Sequence, residues 1–448
     1  MTAVSASMKM ISIASAGMDL FKMHHAYPQR YPFLLESVAH GHLGHYDILF
    51  AFPQETLSCQ HVDEAKQFLA EFNQAFHRSQ LDNIETELPF HGGWFGYFSY
   101  EYAQVIEQRL HLPDSDLPLA TLVRVPAAII QDHQTQQIHF VTEIAFEDLL
   151  IDLQADYHQT KDLEWPNNTL QIASRSEESP QKYLQGVEAI KDYILAGDVF
   201  QVNLSREWQV QLQAGDYQSL YRSLRLHNPA PFAACVNWGD WQILSSSPER
   251  LVKTQHGWVE TRPIAGTRKR SAQLAQDQAL IDELISHPKE IAEHIMLIDL
   301  ERNDLGRICQ PGSVTVNELM VVESYQHVHH IVSNVRGRLK SQLTPLEVIH
   351  ATFPGGTITG CPKVRCMEII AELEQMPRRA YTGSLGYINR DGSMDFNILI
   401  RTLLQQGQTV SFRAGAGIVA DSEPQRELQE SAYKAKGLLN ALSPGLAD

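Results

Sequence analysis

The chain has 448 residues, 43% of them hydrophobic, with a negative mean hydropathy. That is enough to build a large core in two or three layers. The net charge of −17, from 36 basic and 53 acidic residues, argues against nucleic acid or an anionic membrane as the main partner.

An anionic substrate is still permitted if local cations or a metal hold it. No run approaches the roughly 18 apolar residues of a membrane helix. The Met8–Ala16 stretch resembles a signal peptide only in outline, being short and broken by serines. Five cysteines without a CxxC pair suggest reduced thiols and a cytoplasmic protein.

In chain order, Tyr46–Phe52 reads as a strand and Val62–Phe76 as a helix. Gly92–Tyr100 is an aromatic strand whose glycines mark a bulge or a close backbone approach. Val123–Gln131 and Gln137–Val141 read as a hairpin. From Tyr157 to Gln181 the chain turns polar. This predicts a connection between an N-terminal region, residues 1–160, and a C-terminal region, residues 180–442.

Ser179-Pro180 opens a helix with Tyr183, Val187, Ile190 and Ile194 on its apolar stripe, stopped at Gly197. Val199–Val210 is a strand with Gln201, Asn203 and Ser205 on one face. Ala233–Trp238 and Gln242–Ser246 form a hairpin, as do Phe396–Leu403 and Thr409–Ala414. Strands outnumber βαβ units, so the fold class is α+β.

The chemistry gathers around Ser247–Arg302 and Glu423–Lys434. A helix opens at Pro288, with Glu290 and Glu293 on one face and Ile291, Ile295 and Ile298 on another. A last helix opens at Pro424, with Glu427, Glu430 and Lys434 opposite Leu428, Ala432, Ala435 and Leu439. Paired carboxylates on two helices can hold a hard divalent cation such as magnesium. Two solvated acidic faces are the simpler account of these residues alone.

Three further features bear on ligands. Phe353–Lys363 is a glycine-rich loop with a helix start at Pro362, suited either to an anion or to plain capping. It is not a phosphate loop of the Walker type, because Cys361 takes the lysine position. His327, His329 and His330 stand in or beside a strand at Val328–Val335 without zinc-motif context. At least two of them are expected to be core or hydrogen-bonding histidines. Arg401 interrupts an apolar strand, which calls for an anionic partner.

With these segments in view, the chain resembles the chorismate-utilising enzymes, in particular component I of anthranilate synthase and of aminodeoxychorismate synthase. The resemblance runs through Gly197–Arg206, Ser247–Arg250, Arg262–Thr267, Glu293–Arg307 and His329–Ser333. It continues through Pro354–Glu368, Tyr381–Tyr387, Arg413–Ile418 and Glu427–Lys434, in the family's order. It implies a large antiparallel β-sandwich flanked by helices, with the site between the layers.

The resemblance also implies roles. Glu293 and Glu430 would bind Mg²⁺, with Glu290 and Glu427 behind them through water. The metal would hold the ring carboxylate of chorismate, beside Ala265, Gly266, Thr267 and Thr357. Tyr381, Arg401, Gly415 and Lys434 would hold the enolpyruvyl carboxylate. Glu249 would be the general acid for the departing C4 hydroxyl, with His330 near the same group and His329 in packing. An acid working near neutrality needs a raised pKa, so Arg250 must point elsewhere.

Two positions narrow the chemistry. Relatives that add water carry lysine where this chain has Gln201, and glutamine is no base. The nucleophile is then expected to be ammonia, supplied by a glutamine amidotransferase partner. Ala265 replaces the lysine that many aminodeoxychorismate synthases use as a covalent nucleophile. Leu297–Asp304, Gly360–Cys366 and Asp395–Arg401 look more like the folate-branch enzyme.

The expected activity is therefore aminodeoxychorismate synthase component I of the alanine subclass, with anthranilate synthase component I as the alternative. A non-catalytic chorismate-binding regulator would need the acidic set broken, and Glu249, Glu293 and Glu430 are intact. Leu34–Ser37 resembles a tryptophan-binding stretch, so a tryptophan pocket is expected near Glu36 and Ser37.

Overall fold

The computed structural model describes residues 2–4, 8–15, 17–38, 44–81, 84, 86–166, 169–271, 273–325 and 328–443. His327 lies outside them. The architecture is α+β. Two antiparallel sheets, one of thirteen strands and one of ten, face each other and carry helices on their outer sides and at one end.

Apolar side chains on the facing strands fill the space between the sheets. Phe33 of the large sheet stacks on Phe95 of the smaller one, with ring centroids 4.3 Å apart. Phe50, Phe90, Tyr97 and Tyr387 extend the same buried layer. Both sequence regions contribute to both sheets. Phe33–Glu36 pairs with Phe232–Asn237 in the large sheet, and Gly93–Phe98 pairs with Ser384–Asn389 in the smaller. Gly93 is a close backbone approach, since a Cβ there would lie 2.0 Å from the Ile388 carbonyl oxygen.

Several sequence expectations are corrected. The run read as one strand at Val123–Gln131 is two strands, Ala120–Val125 in the smaller sheet and Ala127–Asp132 in the large one. Pro126 stands between them, and a proline without an N–H suits a crossing between sheets. Only the second strand forms the hairpin with Gln137–Glu143. Phe396–Leu403 divides likewise into Met394–Asn397 and Thr402–Gln406, again in different sheets. Arg401 sits in the link with a φ of 52°, so it does not share a strand face with Asn397.

The polar connection also holds regular structure. Helix Leu149–Thr160 runs into it, and Gln171–Glu177 forms an edge strand on Gln201–Ala214. On the two acidic helices the buried stripes differ from the expected ones. Ile295 is about half exposed, while Leu297, Ile298, Glu301 and Asp304 are buried. On Pro424–Leu442 the buried positions are Glu427, Ser431, Ala435, Leu438, Ala441 and Leu442, and Ala432 is exposed.

These elements place the two helices at the open end of the sandwich. Pro288–Ile308 packs on Ile264–Lys269 and Val328–Arg338 of the smaller sheet. Pro424–Leu442 packs on Thr409–Ile418 of the large one.

Candidate active site

Between those helices and the ends of the sheets lies a cavity of about 680 Å³. Every site residue expected from the sequence lines it. Gln201 and Gly415 come from the large sheet, and Ala265, Gly266, Thr267 and His330 from the smaller. Glu249, Thr357, Tyr381 and Arg401 come from links and turns. Glu290 and Glu293 come from one helix, and Glu427, Glu430 and Lys434 from the other.

Local backbone explains several of these positions. The pairing of Ile264–Lys269 with Val328–Arg338 slips between Ala265 and Thr267. Gly266 occupies the slip with a φ of 56°, a conformation glycine adopts without cost. A Cβ there would stand 2.8 Å from Glu290 Oε2, so glycine also makes room for that carboxylate. Beyond the slip, Thr267 pairs with His330, and their side chains meet at 2.9 Å through Oγ1 and Nδ1. Gly415 allows close strand contact, since its Cβ would lie 2.0 Å from the Leu204 carbonyl.

Glu249 is 5% exposed, and its Oε1 has no hydrogen-bond partner among the described residues. Burial pushes its carboxyl up to about 7, against smaller opposing effects of Thr357, the Ile264 backbone and Lys434. Arg250 turns away, as required, and clamps Asp395 with two bonds of 2.8 and 2.9 Å. Burial lowers His330 to about 4, with Arg401 pushing the same way, so its imidazole is neutral at pH 7. His329 bonds Ser324 at 2.7 Å and Asp277 at 3.0 Å, a hydrogen-bonded buried histidine outside the cavity lining.

The Gln201 Oε1 is a buried acceptor without a hydrogen-bond partner among the described residues. Its Nε2 lies against Gly417, where a Cβ would stand 2.2 Å away. Among the described residues no carboxylate pairs with the Arg401 guanidinium, and burial holds its pKa below the usual range. The charge faces the cavity, where the anionic partner expected from the sequence would have to be a ligand. Lys434 reaches Glu430 at 2.8 Å and the Gly415 carbonyl at 3.1 Å.

The four helix carboxylates are oxygen donors only, the set a hard cation such as magnesium takes. Among the described residues no three of His, Cys, Asp or Glu gather closely enough to hold an ion unaided. Arg268 lies 3.2 Å from Glu290. The donor chemistry, with the room that Gly266 leaves at Glu290, fits magnesium. Magnesium commonly draws its remaining ligands from water and substrate.

Sequence reasoning gave no site role to Asn203, Arg268, Lys269, Arg413 or Tyr433, which also line the cavity. Asn203 was legible as the strand neighbour of Gln201 on the same face. Its Nδ2 donates to the Thr357 carbonyl at 2.7 Å. Of the glycine-rich loop only Thr357 and Ile358 line the cavity, and its helix starts at Lys363 rather than Pro362.

A family model described as chorismate binding enzyme matches residues 30–440. The chain belongs to this family. An anthranilate synthase component I-like protein from Synechocystis is 43% identical over 415 residues, covering 90% of this chain and 84% of that protein. Aminodeoxychorismate synthase component 1 of Bacillus subtilis is 42% identical over 394 residues, covering 82% of this chain and 81% of that one. The crystal structure of anthranilate synthase component I from Streptococcus pneumoniae superposes with a TM-score of 0.75 at 32% identity, covering 88% of this chain and 92% of that one. The chain is a chorismate-utilising enzyme, and this cavity is its candidate active site.

A second cavity, of about 100 Å³, is lined by Glu36 and Ser37 together with Arg250, Tyr387, Asp395 and Asn397. Tyr221 donates to Glu36 at 2.6 Å, and the Ser37 amide donates to Asp47 at 2.9 Å. All five cysteines are free. Among the described residues no helix is long and apolar enough to cross a membrane.

Proposed function

We propose that the protein is aminodeoxychorismate synthase component I of the alanine subclass. The observation that carries this reading is one cavity holding a buried acid, Glu249, whose carboxyl burial raises to about 7, together with an uncharged Gln201 and with Ala265 where a covalent nucleophile would stand. Such a site protonates a leaving hydroxyl but offers neither a base for water nor a side chain to attack the ring.

Ammonia bonds to C2 of chorismate, the ring double bonds shift, the C4 hydroxyl leaves as water with the Glu249 proton, and the new C2 ammonium returns a proton to the Glu249 carboxylate. Neutral His330, tied to Thr267, orients that hydroxyl. Gln201 Oε1 accepts an N–H of the incoming ammonia and positions it. Arg401, Tyr381 and Lys434 hold the enolpyruvyl carboxylate. Glu293 and Glu430, backed by Glu290 and Glu427, hold Mg²⁺, which when bound neutralises the ring carboxylate. A second ammonia then bonds to C4 as the C2 amine departs, giving 4-amino-4-deoxychorismate for p-aminobenzoate and folate synthesis.

The folate branch is favoured by Leu297–Asp304, Gly360–Cys366 and Asp395–Arg401. Two of these touch the site's supports: Cys366 donates to the Gln201 carbonyl and Asp395 clamps Arg250. Ala265 taken alone favours the second reading, anthranilate synthase. Ammonia comes from glutamine through a separate amidotransferase subunit, and the cavity beside Glu36 and Ser37 takes tryptophan.

The experiment is to incubate the chain with chorismate, Mg²⁺ and ammonium, with and without an aminodeoxychorismate lyase. p-Aminobenzoate is expected only with the lyase. Lyase-independent anthranilate with stoichiometric pyruvate would assign the tryptophan branch instead. Glutamine should replace ammonium only when an amidotransferase is added.

A further inference from the structure

The cavity wall at Thr357 is a turn that its own bonds hold loosely. Within residues 355–359 the backbone bonds from Ile358 N to Gly355 O and from Thr359 N to Gly356 O are both 3.4 Å, longer than an ordinary N–H···O bond. The Thr359 hydroxyl, donating to the Gly355 carbonyl at 3.0 Å, is its internal tie. Three successive carbonyls are instead met from outside the turn. Asn203 Nδ2 donates to the Thr357 carbonyl at 2.7 Å, and the Asn203 backbone N–H donates to that of Thr359 at 3.0 Å. Between them, Arg378 Nη1 donates to the Ile358 carbonyl at 3.3 Å.

Arg378 lies in the link between helix Lys363–Glu374 and strand Ser384–Asn389. It stands behind the cavity lining and is 3% exposed. Its Nη2 donates to the Asn203 carbonyl at 2.7 Å, so the residue that ties the turn is itself tied. Nη1 also reaches the Thr382 hydroxyl at 3.4 Å, and the guanidinium lies 5.5 Å from the centre of the Tyr381 ring. Glu374 accepts from Nε at 2.9 Å and from Nη2 at 2.6 Å, which orients the fork. One planar group thereby joins a strand, a turn, a helix end and a link. Of the residues it holds, Asn203, Ile358 and Tyr381 line the cavity. So does Thr357, whose buried hydroxyl has no hydrogen-bond partner among the described residues.

We propose that Arg378 is a positioning residue for the reaction: through Asn203 and Ile358 it fixes the turn that carries Thr357, and through its own link it fixes Tyr381. This rests on the reading that Thr357 and Tyr381 stand at the two carboxylates of the substrate. One side chain behind the cavity then sets the separation of the two ends of the site. Arginine suits this task because its planar fork presents five N–H donors in fixed directions, whereas lysine offers three donors on a compact charge at the end of a flexible stem. A misplacement of about 1 Å in such a wall can cost on the order of 10²-fold in rate.

Arg378→Lys keeps a charge opposite Glu374 but cannot meet the Asn203 and Ile358 carbonyls together. Its kcat for chorismate consumption should fall on the order of 10²-fold. KM for chorismate should stay within about threefold of wild type, because Arg401 and the acidic helices still bind the substrate. Asn203→Ala should show a loss of the same kind. The double variant should be no slower than the slower single one, since both act on one turn. Losses that multiply, a rise in KM with kcat retained, or wild-type kinetics in Arg378→Lys with only a lower melting temperature would each overturn the proposal. Should Arg378→Lys fail to fold, amide hydrogen exchange in Asn203→Ala decides. The Ile358 and Thr359 amides should exchange faster than in wild type as kcat falls, and unmoved exchange ends the proposal. Wild-type kcat and KM in both Thr357→Val and Tyr381→Phe would instead remove the underlying reading of the two carboxylate ends.

Discussion

Glu249 and Glu374 are both buried glutamates, and the structure drives them in opposite directions. Glu374 ends the helix Lys363–Glu374 and is 2% exposed. Its oxygens accept from Arg378 at 2.6 and 2.9 Å and from the Ser205 amide and hydroxyl at 2.9 and 2.8 Å, with Arg413 at 3.1 Å. Despite its burial, Arg378 and Arg413 hold its carboxyl down to about 2. Among the described residues no cation forms an ion pair with Glu249, and burial pushes it up to about 7. The difference is set by partners, not depth. Compensation makes one carboxylate a fastener, joining the strands at Ser205 and Arg413 beneath the cavity. Its lack leaves the other protonated to higher pH, as the proposed role of proton donor requires.

That contrast predicts where substitutions remove activity and where they remove the fold. The largest effect is expected at the acidic helices. Glu293→Gln or Glu430→Gln should abolish turnover with circular dichroism unchanged, and so should excess chelator, because paired carboxylates facing an anionic substrate otherwise repel it. Full turnover in chelator would end the metal assignment. Next, Glu249→Gln should slow turnover by about 10²–10⁴-fold, the usual contribution of a general acid, with the melting temperature maintained. Near wild-type turnover would leave Glu249 a packing residue.

The gathering of Glu249, Glu293, Arg401 and Glu430 around one cavity was legible because each lies in a short motif of fixed spacing. What was not legible has physical reasons. The crossings at Pro126 and at Ile398–Arg401 each join two strands in an unbroken β-like run, so period alone cannot reveal the change of sheet. Gln171–Glu177 is an edge strand mostly exposed on both faces, which leaves it no apolar alternation. Glu301 and Asp304 occupy a buried stripe with charged residues, which reads from sequence as a solvated face. Arg401 was expected to need an anionic partner, and among the described residues no carboxylate pairs with it, which is consistent with a cation kept for an anionic ligand.

The fastener side of the comparison is tested by Glu374→Gln. Removing one partner of a buried pair leaves uncompensated charge on Arg378, and leaves Arg413 only the 3.8 Å contact to the Glu178 carboxylate, at a cost of about 3–5 kcal/mol. Denaturant unfolding should show that loss. A change below about 1 kcal/mol would mean that solvent or relaxation replaces the carboxylate, and Glu374 would no longer explain how the cavity floor is held.

The smallest and sharpest difference lies in the sign of the pH dependence. For Glu374 the folded value of about 2 lies below the ordinary 4.5. Its contribution is present above 4.5 and is lost as pH falls towards 2. For Glu249 the folded value of about 7 lies above 4.5. Its cost is absent below 4.5 and grows as pH rises, levelling off above 7. At 1.36 kcal/mol per unit, the Glu249 cost reaches at most about 3 kcal/mol. Glu249→Gln cannot ionise, so it escapes that cost. Its unfolding free energy relative to wild type should rise between pH 5 and pH 8, even as its activity falls. Other buried acids titrate in both proteins, so the difference isolates this residue. A difference that stays flat across that range would mean that Glu249 ionises freely in the folded state, and the contrast with Glu374 would collapse.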